Sequence, residues 1–217
     1  MPKIENRQLI SFLKNQQPSD AGFLDKLKIA YRPVICPFDD LLELIPEQSS
    51  VYDIGCGSGM FLSLVNEFRN PSKLGGVEIS EELIRNANAL LENESALPID
   101  LRVFDGSEIP EVIFDFDFVV MIDVFHHIPR KNQLQFLEQL VGKMRSGATL
   151  IFKDIEGSSF LSFWNKFHDL LLAGEAGNEP RSTELVRFLN QLPLTLEHHS
   201  ERRMWLYPHF TLVLKKL

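Results

Sequence analysis

The chain has 217 residues, 44% of them hydrophobic and 24% charged, a balance that suits one globular α/β unit and excludes disorder or a fibre. Its formal net charge of -8 has the wrong sign for a surface gripping many phosphates, and the basic pairs Arg202-Arg203 and Lys215-Lys216 do not make a stripe, so no nucleic-acid partner is expected. Two cysteines, Cys36 and Cys56, form neither a disulfide framework nor a zinc site; with no secretory core and no apolar run of about 18 residues, the expected location is cytoplasmic, without a membrane span.

In chain order, Leu9, Phe12 and Leu13 predict one short amphipathic helix, and Phe23, Leu27, Ala30 and Tyr31 a second, with Pro18 between them. This helical cap, residues 1–35, either folds across the ligand entrance or plugs exposed core, and helical spacing alone does not separate the two. Short apolar runs then predict strands at Val51-Ile54, Lys73-Ile79, Asp100-Phe104, Asp117-Asp123 and Thr149-Asp154. Each of the first four is followed by a helix or a helix-length segment, a rhythm that favours a parallel sheet covered on both faces. Ser80 is placed to cap a helix carrying Glu81 and Glu82 in its first turn and Leu83, Ile84, Ala87, Leu90 and Leu91 inward. Leu137, Leu140, Val141 and Met144 mark the next helix, and Gly147 turns the chain into the fifth strand. Beyond it, Phe160, Phe163, Trp164, Phe167 and Leu171 fall at helical spacing, Gly174 is a helix stop, and another helix starts at Ser182. The tail predicts two strands joined near Tyr207-Pro208, an antiparallel pair closing the sheet.

The densest signal is VYDIGCGSGM, residues 51–60. A dinucleotide fingerprint starting from Gly55 and Gly57 needs glycine at position 60, which is Met60, and no Gly-Lys-Ser/Thr follows for a phosphate loop. The third glycine instead comes one place early, at Gly59. Glycine without Cβ allows close approach of a ligand and access to positive φ. Glu78, at the end of the second strand, is placed to accept both hydroxyls of a ribose.

The D-x-G-x-G-x-G pattern at Asp53, Gly55, Gly57 and Gly59 resembles the first motif of the class I S-adenosylmethionine-dependent methyltransferases. The resemblance extends through GGVEIS, VFDGSEIP and FDFVVMIDVFHHIP, each at a strand's carboxyl end, and covers roughly residues 50–154. It implies a Rossmann-like, doubly wound, mostly parallel seven-stranded sheet with an antiparallel C-terminal strand, helices on both faces and an N-terminal helical lid. It implies S-adenosyl-L-methionine as cofactor, held by Asp53, Gly55, Cys56, Gly57, Ser58, Gly59, Glu78, Ile79, Asp105, Gly106, Ile122, Asp123 and Val124. A single domain over 1–217 is expected, with the cofactor core at 50–154, a helical insertion at 155–192 as candidate substrate lid and a closing hairpin at 193–217.

The sulfonium of that cofactor is already an activated methyl donor, so the protein's work is positioning plus removal of one proton where the acceptor needs it. His126 and His127 are the candidate bases for an oxygen acceptor such as a phenol. A base N-methylating enzyme would resemble an Asn/Asp-Pro-Pro-aromatic run here, and IDVFHH lacks it. Catechol-type enzymes hold a metal with acids after strands four and five; Asp123 and Asp154 stand there, but Ile155 replaces the expected asparagine, so no metal is expected. Candidate acceptor contacts are Tyr31, Arg32, Phe163, Trp164 and Phe167; Arg32 is equally a partner for the cofactor's carboxylate or for a surface ion pair, and the aromatic stripe is equally core. His198-His199 alternate across a strand, which argues against a shared metal. The expectation is methyl transfer to a small hydrophobic or aromatic metabolite by a monomer or homodimer, with a non-catalytic cofactor-binding regulator, a protein-directed methyltransferase and an NAD-dependent oxidoreductase as alternatives.

Overall fold

The computed structural model describes residues 4–16, 32–92, 97–156, 181–204 and 207–217. Helix α1 (Asn6–Asn15) and the short α2 (Phe38–Glu43) precede β1 (Ser50–Ile54), whose five residues are all buried. There follow α3 (Met60–Arg69), β2 (Lys73–Glu78), α4 (Glu81–Glu92), β3 (Ile99–Val103), β4 (Phe118–Ile122), α5 (Arg130–Lys143) and β5 (Thr149–Ile155). After the aromatic segment, α6 (Ser182–Leu189) leads into β6 (Leu194–Met204) and β7 (Tyr207–Lys216).

The seven strands lie in the order β3-β2-β1-β4-β5-β7-β6. β1 to β5 pair in parallel, and β7 is antiparallel to both of its neighbours. Strand order reverses between β1 and β4, the place where an open α/β sheet leaves a crevice beyond the strands' carboxyl ends. The alternation of side chains sorts the core into two faces. Leu9, Leu13, Phe38, Leu42, Leu62 and Leu91 of α1 to α4 pack with Val51, Val120, Ile122 and Ile151. On the opposite face, Phe136, Leu140, Leu185 and Leu189 of α5 and α6 pack with Tyr52, Ile54, Met121, Phe152 and Phe210.

The differences from the sequence reading are local. The segment between β3 and β4 carries a 3-10 turn, Glu111–Asp115, where Gly106 and Pro110 punctuate the stretch and break a continuous helix. Tyr207 and Pro208, near which the two last strands were expected to join, already belong to β7 and pair with Met204 and Arg203. Ser80 caps α4 as expected, its Oγ accepting the Leu83 N–H at 3.3 Å. Leu9 and Leu13 of α1 are buried in the core and Phe12 packs edge-on against Phe68 at 5.8 Å, so this part of the cap plugs core. The predicted helix at Phe23–Tyr31 and the aromatic stripe with Phe163, Trp164 and Phe167 lie outside the described residues. Among the described residues no helix is long and apolar enough to cross a membrane.

Candidate active site

The glycine turn is a backbone device. Gly55, Gly57 and Gly59 all have positive φ, at 75°, 54° and 80°, in the region where a side chain costs most. The Gly55 and Cys56 N–H groups both donate to the Val77 carbonyl, at 2.8 and 3.0 Å, which ties the turn to the end of β2. A Cβ on Gly55 would run into Val124, and one on Gly59 would meet Ala87 at 3.0 Å, whereas a Cβ on Gly57 would project into open space. The three glycines therefore differ in purpose: two permit packing and the middle one leaves a bare cradle. Ser58 is half-buried beside it. Cys56 turns its side chain to the sheet, its Sγ 3.2 Å from where a Cβ on Gly76 would stand, and burial followed by Asp53 and Glu78 pushes its thiol far up.

Glu78 reaches across to the cradle. One carboxylate oxygen accepts the Gly57 N–H and the other the Ser80 N–H, both at 3.1 Å. Each oxygen retains acceptor capacity after one such bond, so the pair is aimed and still able to take a diol. Asp53 lies 3% exposed beneath, and burial, then the charge of Glu78, raise its carboxyl well above the usual range. Ile79 is 71% exposed at the end of β2, an apolar surface offered to the crevice. Beyond β3, Asp105 folds an exposed turn with Gly106 at φ 82°, accepting the Ser107 hydroxyl and N–H at 2.6 and 2.8 Å; the side-chain bond from Ser107, then its backbone bond, lower its carboxyl.

The connection after β4 holds the most concentrated chemistry. Ile122 is buried, Asp123 adopts φ 55°, and Val124 wedges against Gly55. His126 is 3% exposed, and Asp154, fully buried at the end of β5, accepts from its Nδ1 at 2.6 Å and from its backbone N–H at 3.1 Å. The Ile155 N–H donates to the same carboxylate at 2.7 Å. A carboxylate so placed selects the imidazole tautomer with the proton on Nδ1. His127 is exposed, its ring centroid 4.1 Å from that of His126.

Asp123 has a different set of partners. Lys153, 0% exposed, contacts it at 2.5 Å, and Arg32, 42% exposed, at 3.4 Å. Burial alone would push this carboxyl up; Lys153 and Arg32 more than reverse that and hold it well below the usual carboxylate range. Arg32 thus makes an ion pair at the edge of the crevice, one of the roles considered for it, while Tyr31 lies outside the described residues. Asp123 and Asp154 do not converge: one is taken by two cations and the other by an imidazole and two N–H groups. Among the described residues there is no cluster of three or more His, Cys, Asp or Glu suited to a metal. His198 and His199 are exposed on β6.

Sequence reasoning missed three groups packed about Asp123. Lys153 was passed over within an apolar strand, although a charge inside LIFKDI was the signal that could have exposed it. His209 on β7 donates from Nε2 to the Ile35 carbonyl at 2.7 Å, and burial, then Lys153, lower its pKa to about 3. Burial, only partly offset by Lys153, raises Cys36 to about 11, so both are neutral beside the ion pair.

Comparison with known proteins agrees with this geometry. Residues 52–150 match the family model described as a methyltransferase domain. A carboxy-S-adenosyl-L-methionine synthase of Campylobacter curvus is 24% identical over 114 residues, 52% of this chain and 47% of that protein. A tRNA (carboxymethyluridine(34)-5-O)-methyltransferase of Saccharomyces cerevisiae is 31% identical over 117 residues, 53% of this chain and 37% of that protein. The chain thus matches about half or less of the length of these curated relatives. Among solved structures, the magnesium protoporphyrin IX methyltransferase of Synechocystis with bound SAH superposes with a TM-score of 0.70 at 15% identity, covering 98% of this chain and 93% of that one. The putative methyltransferase of Haloferax volcanii, solved with the Trm112 activator, gives 0.71 at 14% identity over 97% of each chain. Residues 52–150, which include the glycine turn, thus form a methyltransferase domain, and the described fold is shared with solved methyltransferases, in support of the resemblance to the class I S-adenosylmethionine-dependent enzymes.

Proposed function

We propose that this protein transfers the methyl group of S-adenosylmethionine to an oxygen of a small hydrophobic or aromatic acceptor, with His126 as the general base. The observation that carries the reading is the bare cradle at Gly57 lying across neighbouring strands from the buried Asp154–His126 pair. When bound, the cofactor supplies a methyl group already activated on a sulfonium. Gly55, Gly57 and Gly59 let the main chain approach it. The oxygens of Glu78 would take the two ribose hydroxyls with their remaining lone pairs. Ile79 and the Asp105-Gly106 turn would hold the adenine, while Asp53, the Cys56 main chain and Ser58 would hold the methionyl side with Ile122, Asp123 and Val124.

Asp154 holds the His126 ring and stabilises the imidazolium that forms when the acceptor's proton is taken, a contribution of about 10²–10⁴ in rate for a positioned base. His127 is the second candidate, exposed beside it. The yeast relative's name places its own methyl group on an oxygen, which supports an oxygen acceptor. The net charge of -8 supports a small acceptor over a nucleic acid, and a cytoplasmic setting suits the two buried free cysteines.

The test is uptake of labelled methyl from S-adenosylmethionine by a panel of phenolic, carboxylic and lipid-like acceptors. With the accepted compound in hand, His126→Ala is expected to lower turnover by about 10²–10⁴ while S-adenosylhomocysteine still binds. Unchanged turnover would move the base elsewhere. Activity is expected to survive exhaustive chelation, and its loss would restore a metal to the mechanism.

A further inference from the structure

Three consecutive residues of β5 hold the connection that follows β4. Phe152 packs edge-on against Phe125 with ring centroids 5.2 Å apart. Lys153 accepts the Asp123 N–H on its carbonyl at 2.9 Å and reaches the Asp123 carboxylate with Nζ at 2.5 Å. Asp154 takes the backbone and Nδ1 of His126. Successive strand residues point to opposite faces, so Lys153 grips the beginning of the connection from the α1–α3 face and Asp154 its end from the α5 face. Between the two grips Val124 is wedged against Gly55.

A buried ion pair is a poor source of stability, since well-packed apolar residues often do as well or better, and its best-attested use is to select one arrangement over others. Here the pair sits where the backbone needs such selection. Asp123 has φ 55°, an uncommon conformation for a residue with a side chain, and it begins the turn that delivers His126. Arg32 supports the same carboxylate from the crevice side at 3.4 Å, while the neighbouring Cys36 and His209 stay uncharged and do not compete for it.

We propose that Lys153 is a positioning residue: through Asp123 it locks the left-handed start of the 123–126 connection and thereby holds His126 on Asp154 in one orientation. This rests on the reading of His126 as the base only for its catalytic meaning; the positional claim is testable without turnover.

The experiment is nuclear magnetic resonance of the full chain labelled with ¹⁵N-histidine, at a pH where the imidazole is neutral, with His126→Ala identifying the His126 signals. The native protein is expected to show one His126 tautomer with a protected Nδ1 proton. The charge-balanced variant Asp123→Asn with Lys153→Met leaves no lone buried charge. It is expected to unfold cooperatively as before, yet to exchange the His126 Nδ1 proton at least tenfold faster or to show both tautomers. An ion pair that only stabilised the fold would lower the unfolding midpoint and leave the His126 signature untouched, and that result overturns the proposal. Should the double variant not fold, Lys153→Gln alone, which leaves Asp123 its ion pair with Arg32, gives the same reading: faster exchange supports the lock and an unchanged signal removes it. Because no acceptor is involved, failure here is distinct from failure of His126→Ala to slow methyl transfer.

Discussion

At the scale of single residues, the three glycines of the turn make different predictions although they share a conformation. Gly57 has positive φ and nothing within 4 Å of the position a Cβ would occupy. Gly57→Ala therefore meets only backbone strain, costing about 1–2 kcal/mol, but its methyl group projects into the cradle. Calorimetry with S-adenosylhomocysteine is expected to show at least tenfold weaker binding, a loss beyond what urea unfolding shows in stability; equal affinity would mean that the cradle does not touch the ligand. Gly142, exposed in α5 with equally open surroundings and no positive φ, is the control, and Gly142→Ala should be neutral or stabilise by up to about 1 kcal/mol. The glycine turn and the place of Glu78 beside it were legible in the sequence because both are local to strand ends. Lys153 was not, because its meaning comes from Asp123 on the neighbouring strand.

At the scale of elements, all five parallel strands were legible within about two residues, most plainly β4, whose burial along nearly its whole length makes it an unbroken apolar run. The 3-10 turn after β3 was not, because short turns are decided by punctuation rather than by periodicity. The N-terminal cap shows the limit of spacing as an argument. An amphipathic α1 suits a lid and a plug equally, and only packing places Leu9 and Leu13 in the core formed with α2 and α3. Leu9 is 0% exposed, so Leu9→Ala is expected to cost about 2–5 kcal/mol in urea unfolding. A loss below about 0.5 kcal/mol, the usual range for a surface substitution, would return α1 to the status of an external flap.

At the scale of the whole molecule, the buried titratable groups couple the fold to pH. His209 resists protonation down to about 3 against an ordinary 6.5. Between those values the unfolded chain binds a proton that the native chain refuses, so stability falls as pH drops below 6.5, by at most about 1.4 kcal/mol per unit. Asp123, with its depressed carboxyl, contributes stability that is present above 3.8 and lost as pH falls through and below that value. Asp53 acts in the opposite sense: its raised carboxyl keeps a proton the unfolded chain has released, so its effect on stability declines as pH rises above 3.8. Urea unfolding at pH 6.5 and pH 5 is expected to differ by up to about 2 kcal/mol on account of His209. His209→Gln, which keeps an N–H donor for the Ile35 carbonyl, should remove at least half of that difference, and an unaltered pH dependence would show that His209 is protonated in the fold.

The glycine turn and its carboxylates were determined by the sequence itself, because they depend on backbone conformation and strand ends that neighbouring residues dictate. The surroundings of Asp123 were decided by tertiary structure. His209 meets the Ile35 carbonyl across 174 positions of chain, Arg32 meets Asp123 across 91 and Lys153 meets it across 30. Those meetings follow from the strand order β4-β5-β7 and from the packing of the N-terminal residues against it, neither of which any local pattern encodes. The same geometry gave Asp123 and Asp154 different partners, Lys153 and Arg32 for the one and His126 for the other.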